Sequence, residues 1–131
     1  MAKFITYLVL RDITDNIWEI REPLVYDSDL LGGRINVPVG FQTDLASVPK
    51  LPVIYEAWGN RAHYEAVIHD YLYRSDSVPS ASFGLANAVF MEAMAVRGKP
   101  WYVRYPMYWG VCLGGKPSYH KRSVADALII N

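Results

Sequence analysis

Residues 67–74 read VIHDYLYR, Val67 to Arg74, and set a histidine beside an aspartate inside an otherwise apolar run. The run reads as part of a helix from about Arg61 to Arg74, with Asn60 placed to cap it. Neighbouring residues on a helix point about 100° apart, so His69 and Asp70 cannot satisfy one another on a single face. Each needs its own partner, and the identity of those partners decides how the rest of the chain must pack.

His69 shares a helix face with Ala62, Ala66, Leu72 and Tyr73, a stripe small and apolar enough for a second helix to approach closely. Such a helix is predicted downstream, capped by Ser80 or Ser82, running to about Arg97 and stopped by Gly98 and Pro100. Its core stripe of Phe83, Gly84, Phe90, Met91 and Met94 contains one polar residue, Asn87. A buried amide without a partner costs about 1–3 kcal/mol, so Asn87 is expected to be hydrogen-bonded, and an antiparallel helix pair brings it to His69. That bond would fix the imidazole tautomer and leave the other ring nitrogen for a water or a partner.

Asp70 is then expected to face the upstream loop GFQTDLASVP, which carries Thr43, Asp44 and Ser47. Two carboxylates with nearby backbone carbonyls could hold a hard cation of the calcium type, with Asp70 and Asp44 as metal ligands. Equally, Thr43, Asp44 and Ser47 could form side-chain turns and cap the next segment. His69 could be a core histidine that is simply paired, and Asp70 could bond a backbone amide or Arg74 one turn later. His63 and His120 read as surface residues, and no HExxH or paired-cysteine spacing points to zinc. Gly32 and Gly33 read as turn glycines because no phosphate-cradle pattern follows them.

The front of the chain differs. KFITYLVL and NIWEIREPLVY are β-rich and predict a hairpin with its turn at Asp12 to Asn16, and GGRINVPVGF adds a short extended segment whose Pro38 belongs at a strand end. A short helical piece is expected near Val53 to Trp58, and WYVRYPMYWGVCLGG is ambiguous between helix and irregular structure. The expected fold is α+β: a small antiparallel sheet, with residues 1–42 mainly β, packed on a helical part, 49–131, that holds the helix pair. All 131 residues form one expected domain.

Composition narrows the function classes. Thirteen basic residues balance thirteen acidic ones, which argues against a general nucleic-acid-binding field. Cys112 is the only cysteine, so no internal disulfide can form, in keeping with folding in a reducing cytoplasm. No signal peptide is recognised, and Tyr105 to Gly115 is too short and too interrupted by Pro106 to span a bilayer.

The motifs VPVGFQTDLASVPK, AVIHDYLYR and AVFMEAM, in that order over roughly residues 34 to 110, resemble a phage- and prophage-encoded domain-of-unknown-function family, number 1353, with the pattern GFxTDxASVPR, AAxxHDYLY, AD..F..AM. The resemblance implies a phage origin and supplies no activity. At the site alone, His69, Asp70 and Tyr73 are similar to the His-Asp helix of secreted phospholipases of the A2 class, where the histidine activates water and the aspartate binds calcium. Leu72 stands where that class has a disulfide cysteine, and Asn87 stands where both patterns place an aspartate. An asparagine can orient an imidazole but cannot stabilise the imidazolium by charge; in the serine-protease triad the same exchange costs about 10⁴ in rate.

Two functions follow as expectations. One is a virion-associated structural or host-adsorption component in a tail, baseplate or similar assembly. It would be made in the host cytoplasm, partnered by other phage structural proteins and by no nucleic acid, with an oligomeric state set by the assembly. Trp101, Tyr105, Tyr108 and Trp109 would serve as interface residues unless they complete the domain's own core. The other is a calcium-type hydrolase acting on envelope lipid, ester or cell-wall substrate, with His69 as general base and Asn87 orienting it.

Overall fold

The computed structural model describes residues 2–14, 17–43, 63–74 and 77–114. Two three-stranded antiparallel sheets come first. One has the order β1–β4–β5, from Lys3–Phe4, Leu24–Ser28 and Gly33–Val37. The other has the order β2–β3–β6, from Leu10–Thr14, Ile17–Ile20 and Gln42–Thr43. Three helices follow: α1, His63–Leu72; α2, Phe83–Val96; and α3, Trp101–Gly114. The architecture is α+β with an antiparallel helix pair, as the polar residues in the two helical stripes require.

The strands differ from the expected hairpin in two ways. The segment NIWEIREPLVY is two strands in two sheets, because Pro23 has no amide hydrogen for a ladder and the chain turns at Arg21–Pro23. The β2 strand also runs on to Thr14, past the expected start of the turn at Asp12, with an irregularity in its pairing between Asp12 and Thr14. Pro38 lies just beyond β5, at a strand end. The expected helical piece at Val53 to Trp58 lies outside the described residues.

The helix ends follow local chemistry. Ser82 is extended and accepts a hydrogen bond from the Leu85 amide at 3.1 Å, capping α2. At the other end Gly98 adopts φ 83°, the left-handed region that favours glycine. The Gly98 amide bonds Ala95 and the Lys99 amide bonds Met94, each at 3.0 Å, which satisfies the last carbonyls and turns Lys99 back toward α1. The ambiguous segment from Trp101 is a 14-residue helix despite Pro106 within it. Its Val103, Met107 and Val111 are buried against Phe90 and Met94 of α2, and that packing outweighs the amide lost at the proline.

α2 sits in the middle. Ala86, Val89 and Ala93 face the main core, made by Ile20, Leu24, Tyr26, Ile35, Val37 and Phe41 of the sheets and by Val67, Ile68 and Leu72 of α1. Glu92 on the same helix ties it to the first sheet. One carboxylate oxygen accepts from the Tyr26 hydroxyl at 2.7 Å and the Ser28 hydroxyl at 2.8 Å, and the other accepts from the Leu30 amide at 3.0 Å. Burial and the adjacent Glu92 carboxylate hold the Tyr26 phenol far above its ordinary pKa, so it stays a donor. Glu92→Ala leaves two hydroxyls and an amide without this acceptor; a loss of about 2 kcal/mol is expected in urea denaturation, with the m-value unchanged.

Candidate functional site

α1 carries His69 four residues before Tyr73, so both rings leave the helix on one side, toward α2. There Asn87 meets them. Its Oδ1 lies 2.8 Å from His69 Nε2 and accepts from the Tyr73 hydroxyl at 2.7 Å. With Oδ1 as the acceptor, the neutral imidazole carries its hydrogen on Nε2. The Asn87 Nδ2 donates to Cys112 Sγ of α3 at 3.7 Å, so one amide joins all three helices. Cys112 is not among the candidate residues of the sequence, where the segment from Trp101 is ambiguous between helix and irregular structure and gives its side chain no direction.

The surroundings set the chemistry. His69 and Asn87 have no solvent exposure and Tyr73 has 2%. The imidazole is flanked by the Tyr73 ring at 4.1 Å and the Phe90 ring at 4.8 Å between centroids. Burial lowers the His69 pKa from 6.5 to about 4, the hydrogen bond to Asn87 offsetting only part of the effect. The imidazole is therefore neutral at pH 7, and a base this weak and enclosed is poorly matched to activating water near neutrality.

That shift has a measurable consequence for stability. The unfolded imidazole gains its proton near pH 6.5 and the folded one near pH 4, so between these values the unfolded chain binds more protons. Stability should therefore fall as the pH is lowered through this window, by about 3 kcal/mol in total. His69→Gln should abolish that component, seen as a shallower loss of denaturation midpoint between neutral and mildly acid pH.

Asp70 points elsewhere. It is 8% exposed, and Arg74 Nη2 donates to its Oδ2 at 3.3 Å, the pairing expected at four residues' spacing. The Arg74 guanidinium also lies 5.3 Å from the centroid of Phe41, just before β6, which links the end of α1 to the strand that leads into the TD motif. Thr43 is 2% exposed and sits in β6 opposite Trp18 of β3. Asp44 and Ser47 lie outside the described residues, as does His120.

Calcium takes six to eight oxygen ligands. Among the described residues no group of three or more His, Cys, Asp or Glu side chains is placed to hold a metal ion. Asp70 with a guanidinium at its side is a carboxylate already paired with a cation. Asp44, the other carboxylate of the expected cation pair, lies outside the described residues.

A second buried polar cluster was not foreseen. Glu65 lies one turn before His69 on α1, fully buried, and forms an ion pair with the Lys99 ammonium; Arg97 Nε is 3.9 Å from its other oxygen. Burial raises the Glu65 pKa above its ordinary 4.5, against the pull of Lys99 and Arg97. The signal was present in the spacing, since Glu65 is four residues from His69 and shares its face.

The aromatic segment divides by face. Trp101 is 66% exposed, Tyr105 44% and Trp109 59%, whereas Tyr108 is half-buried. The first three do not complete the core; Val103, Met107 and Val111 do.

An α+β chain with a His-Asp helix paired to a second helix, and a strand leading into a TD motif, is the class that fold and site define. Residues 18–111 match the family described as "Protein of unknown function (DUF1353)", and the chain belongs to that family. No curated protein and no solved structure matches it. The similarity to secreted phospholipases has no support among these matches.

Proposed function

We propose that the chain is a phage-encoded, virion-associated structural or host-adsorption module, and that its His-Asp motif is architectural. The observation that carries this reading is the exposed aromatic face of α3, a surface of the composition that interface cores use. The family's motif pattern supports the phage assignment. The enclosure of His69, its depressed pKa and an asparagine in place of a carboxylate weigh against the hydrolase alternative. Partners would be other phage structural proteins, met after synthesis in the host cytoplasm. A balanced charge gives no reason to include nucleic acid, and no helix among the described residues is long and apolar enough to cross a membrane.

The test is to purify particles of the encoding phage through a density gradient and quantify the chain by mass spectrometry. Recovery at constant stoichiometry with the capsid or tail proteins is expected. Its absence from particles, together with calcium-dependent ester hydrolysis that His69→Ala abolishes, would contradict the reading and favour the hydrolase.

A further inference from the structure

The chain leaves the first sheet at Thr6. Its hydroxyl accepts from the Val25 amide at 3.0 Å and donates to the Pro23 carbonyl at 2.8 Å, while the Ile5 amide bonds the Val25 carbonyl at 2.8 Å. These bonds hold Thr6 and Tyr7 beside the turn that carries Glu22 and Pro23. A groove of about 480 Å³ opens there, lined by Thr6, Tyr7, Glu22, Pro23, Val25 and Asn36, and its size is within the range of small-molecule sites. Val25 and Asn36 are register partners on β4 and β5, and they alternate with Leu24, Tyr26, Ile35 and Val37, which are fully buried in the core. The groove therefore opens on the face of the first sheet that points away from the helices.

Three of these side chains take no part in the fold's own bonding. Tyr7 is 83% exposed, and Glu22 and Asn36 are exposed as well. Among the described residues none engages the Tyr7 ring, the Glu22 carboxylate or the Asn36 amide in a hydrogen bond, ion pair or ring contact. Together they offer an apolar ring face, an amide that both donates and accepts, and a carboxylate with two acceptor oxygens. A pyranose has the matching pattern: a C–H face that stacks on a ring, and adjacent hydroxyls on its rim that each donate and accept. Among the described residues Glu22 is the only charged group in the lining, and its sign repels phosphate and sulfate esters. Ammonium ligands are held in cages of several rings, and this lining has one. A peptide strand would take the main-chain groups of a sheet edge, whereas these are side chains on a sheet face.

We infer that the groove binds a neutral saccharide, with Tyr7 stacked on a sugar ring and Asn36 and Glu22 bonding its hydroxyls. The inference goes beyond the contact role proposed for α3 and uses a different face, so either can fail alone. The test is a titration of the ¹⁵N-labelled full chain with methyl glucoside, methyl galactoside, rhamnose and N-acetylglucosamine, followed by choline chloride and sodium phosphate. At least one sugar should shift the amides of Thr6, Val25 and Asn36 with millimolar affinity and leave those of His69 and α3 in place. Tyr7→Ala should weaken that affinity about tenfold and Asn36→Ala severalfold, with unchanged urea midpoints because both side chains are exposed. Tyr7→Phe keeps the ring and should retain the binding. Shifts that survive Tyr7→Ala, or no shift from any of the sugars, overturn the inference. Choline or phosphate moving these amides where no sugar does would give the groove to a charged ligand and overturn it as well.

Discussion

Asn87→Leu is expected to cost about 3 kcal/mol of folding stability, close to isosteric though the exchange is. The leucine fills the same space but takes away the oxygen that accepts from both His69 and Tyr73, at 2.8 and 2.7 Å. Both donors lose this acceptor in a site that water does not reach, and losing a buried hydrogen-bond acceptor costs about 1–3 kcal/mol per donor. Partial relaxation of the Tyr73 hydroxyl keeps the total below the sum. Asn87→Asp separates architecture from charge. Its carboxylate keeps the acceptor, so the loss should be smaller, and it should raise the His69 pKa because it favours the imidazolium. Urea denaturation gives the first effect and a histidine titration the second. An Asn87→Leu protein as stable as wild type would mean that the amide does not hold the helices together.

The other large effect is expected from Lys99→Met, at about 3–5 kcal/mol near neutral pH, because it leaves the fully buried Glu65 carboxylate without its ammonium partner. Arg97, at 3.9 Å and half in solvent, compensates only in part. The penalty should depend on pH with a definite sign. Burial already raises the folded Glu65 pKa above 4.5, and loss of the lysine raises it further. Above the unfolded value the folded state then binds more protons than the unfolded state, so the variant's stability falls as pH rises. Mildly acid conditions should recover part of the loss. Replacing both partners, Glu65→Leu with Lys99→Met, should be close to neutral, since an apolar pair of similar volume carries no desolvation cost. A double variant as unstable as the single one would assign the loss to packing around Lys99 rather than to the stranded charge.

What could be read beforehand was local or compelled by burial. Gly98 and Pro100 close a helix through backbone geometry that needs no tertiary information, and Ser82 caps it with its own hydroxyl. Asn87 in an apolar stripe must find a partner, and the number of polar residues it can meet there is small. Glu65 and Glu92 escaped because a carboxylate in a helical pattern ordinarily marks the solvent face. Their partners are Lys99 for the buried Glu65 and Tyr26 and Ser28 for the half-buried Glu92, which lie 34, 66 and 64 residues away along the chain. Helix α3 was ambiguous because apolar residues, aromatic on one side and aliphatic on the other, occur all round it and Pro106 interrupts it, so only its packing on Phe90 and Met94 tells the core face from the exposed one. The split between β3 and β4 was signalled by Pro23, whose effect on the ladder outweighs the alternation running through it.

The central claim is that His69 is a neutral structural residue, and its titration tests that most directly. Two-dimensional ¹H–¹⁵N spectra of histidine-labelled chain should show the His69 ring neutral, with its hydrogen on Nε2, as the pH is lowered toward about 4. The His69→Gln variant assigns the resonance. A His69 that titrates near the ordinary 6.5 and exchanges its ring proton freely with water would contradict the claim and restore the His-Asp helix as a candidate for catalysis.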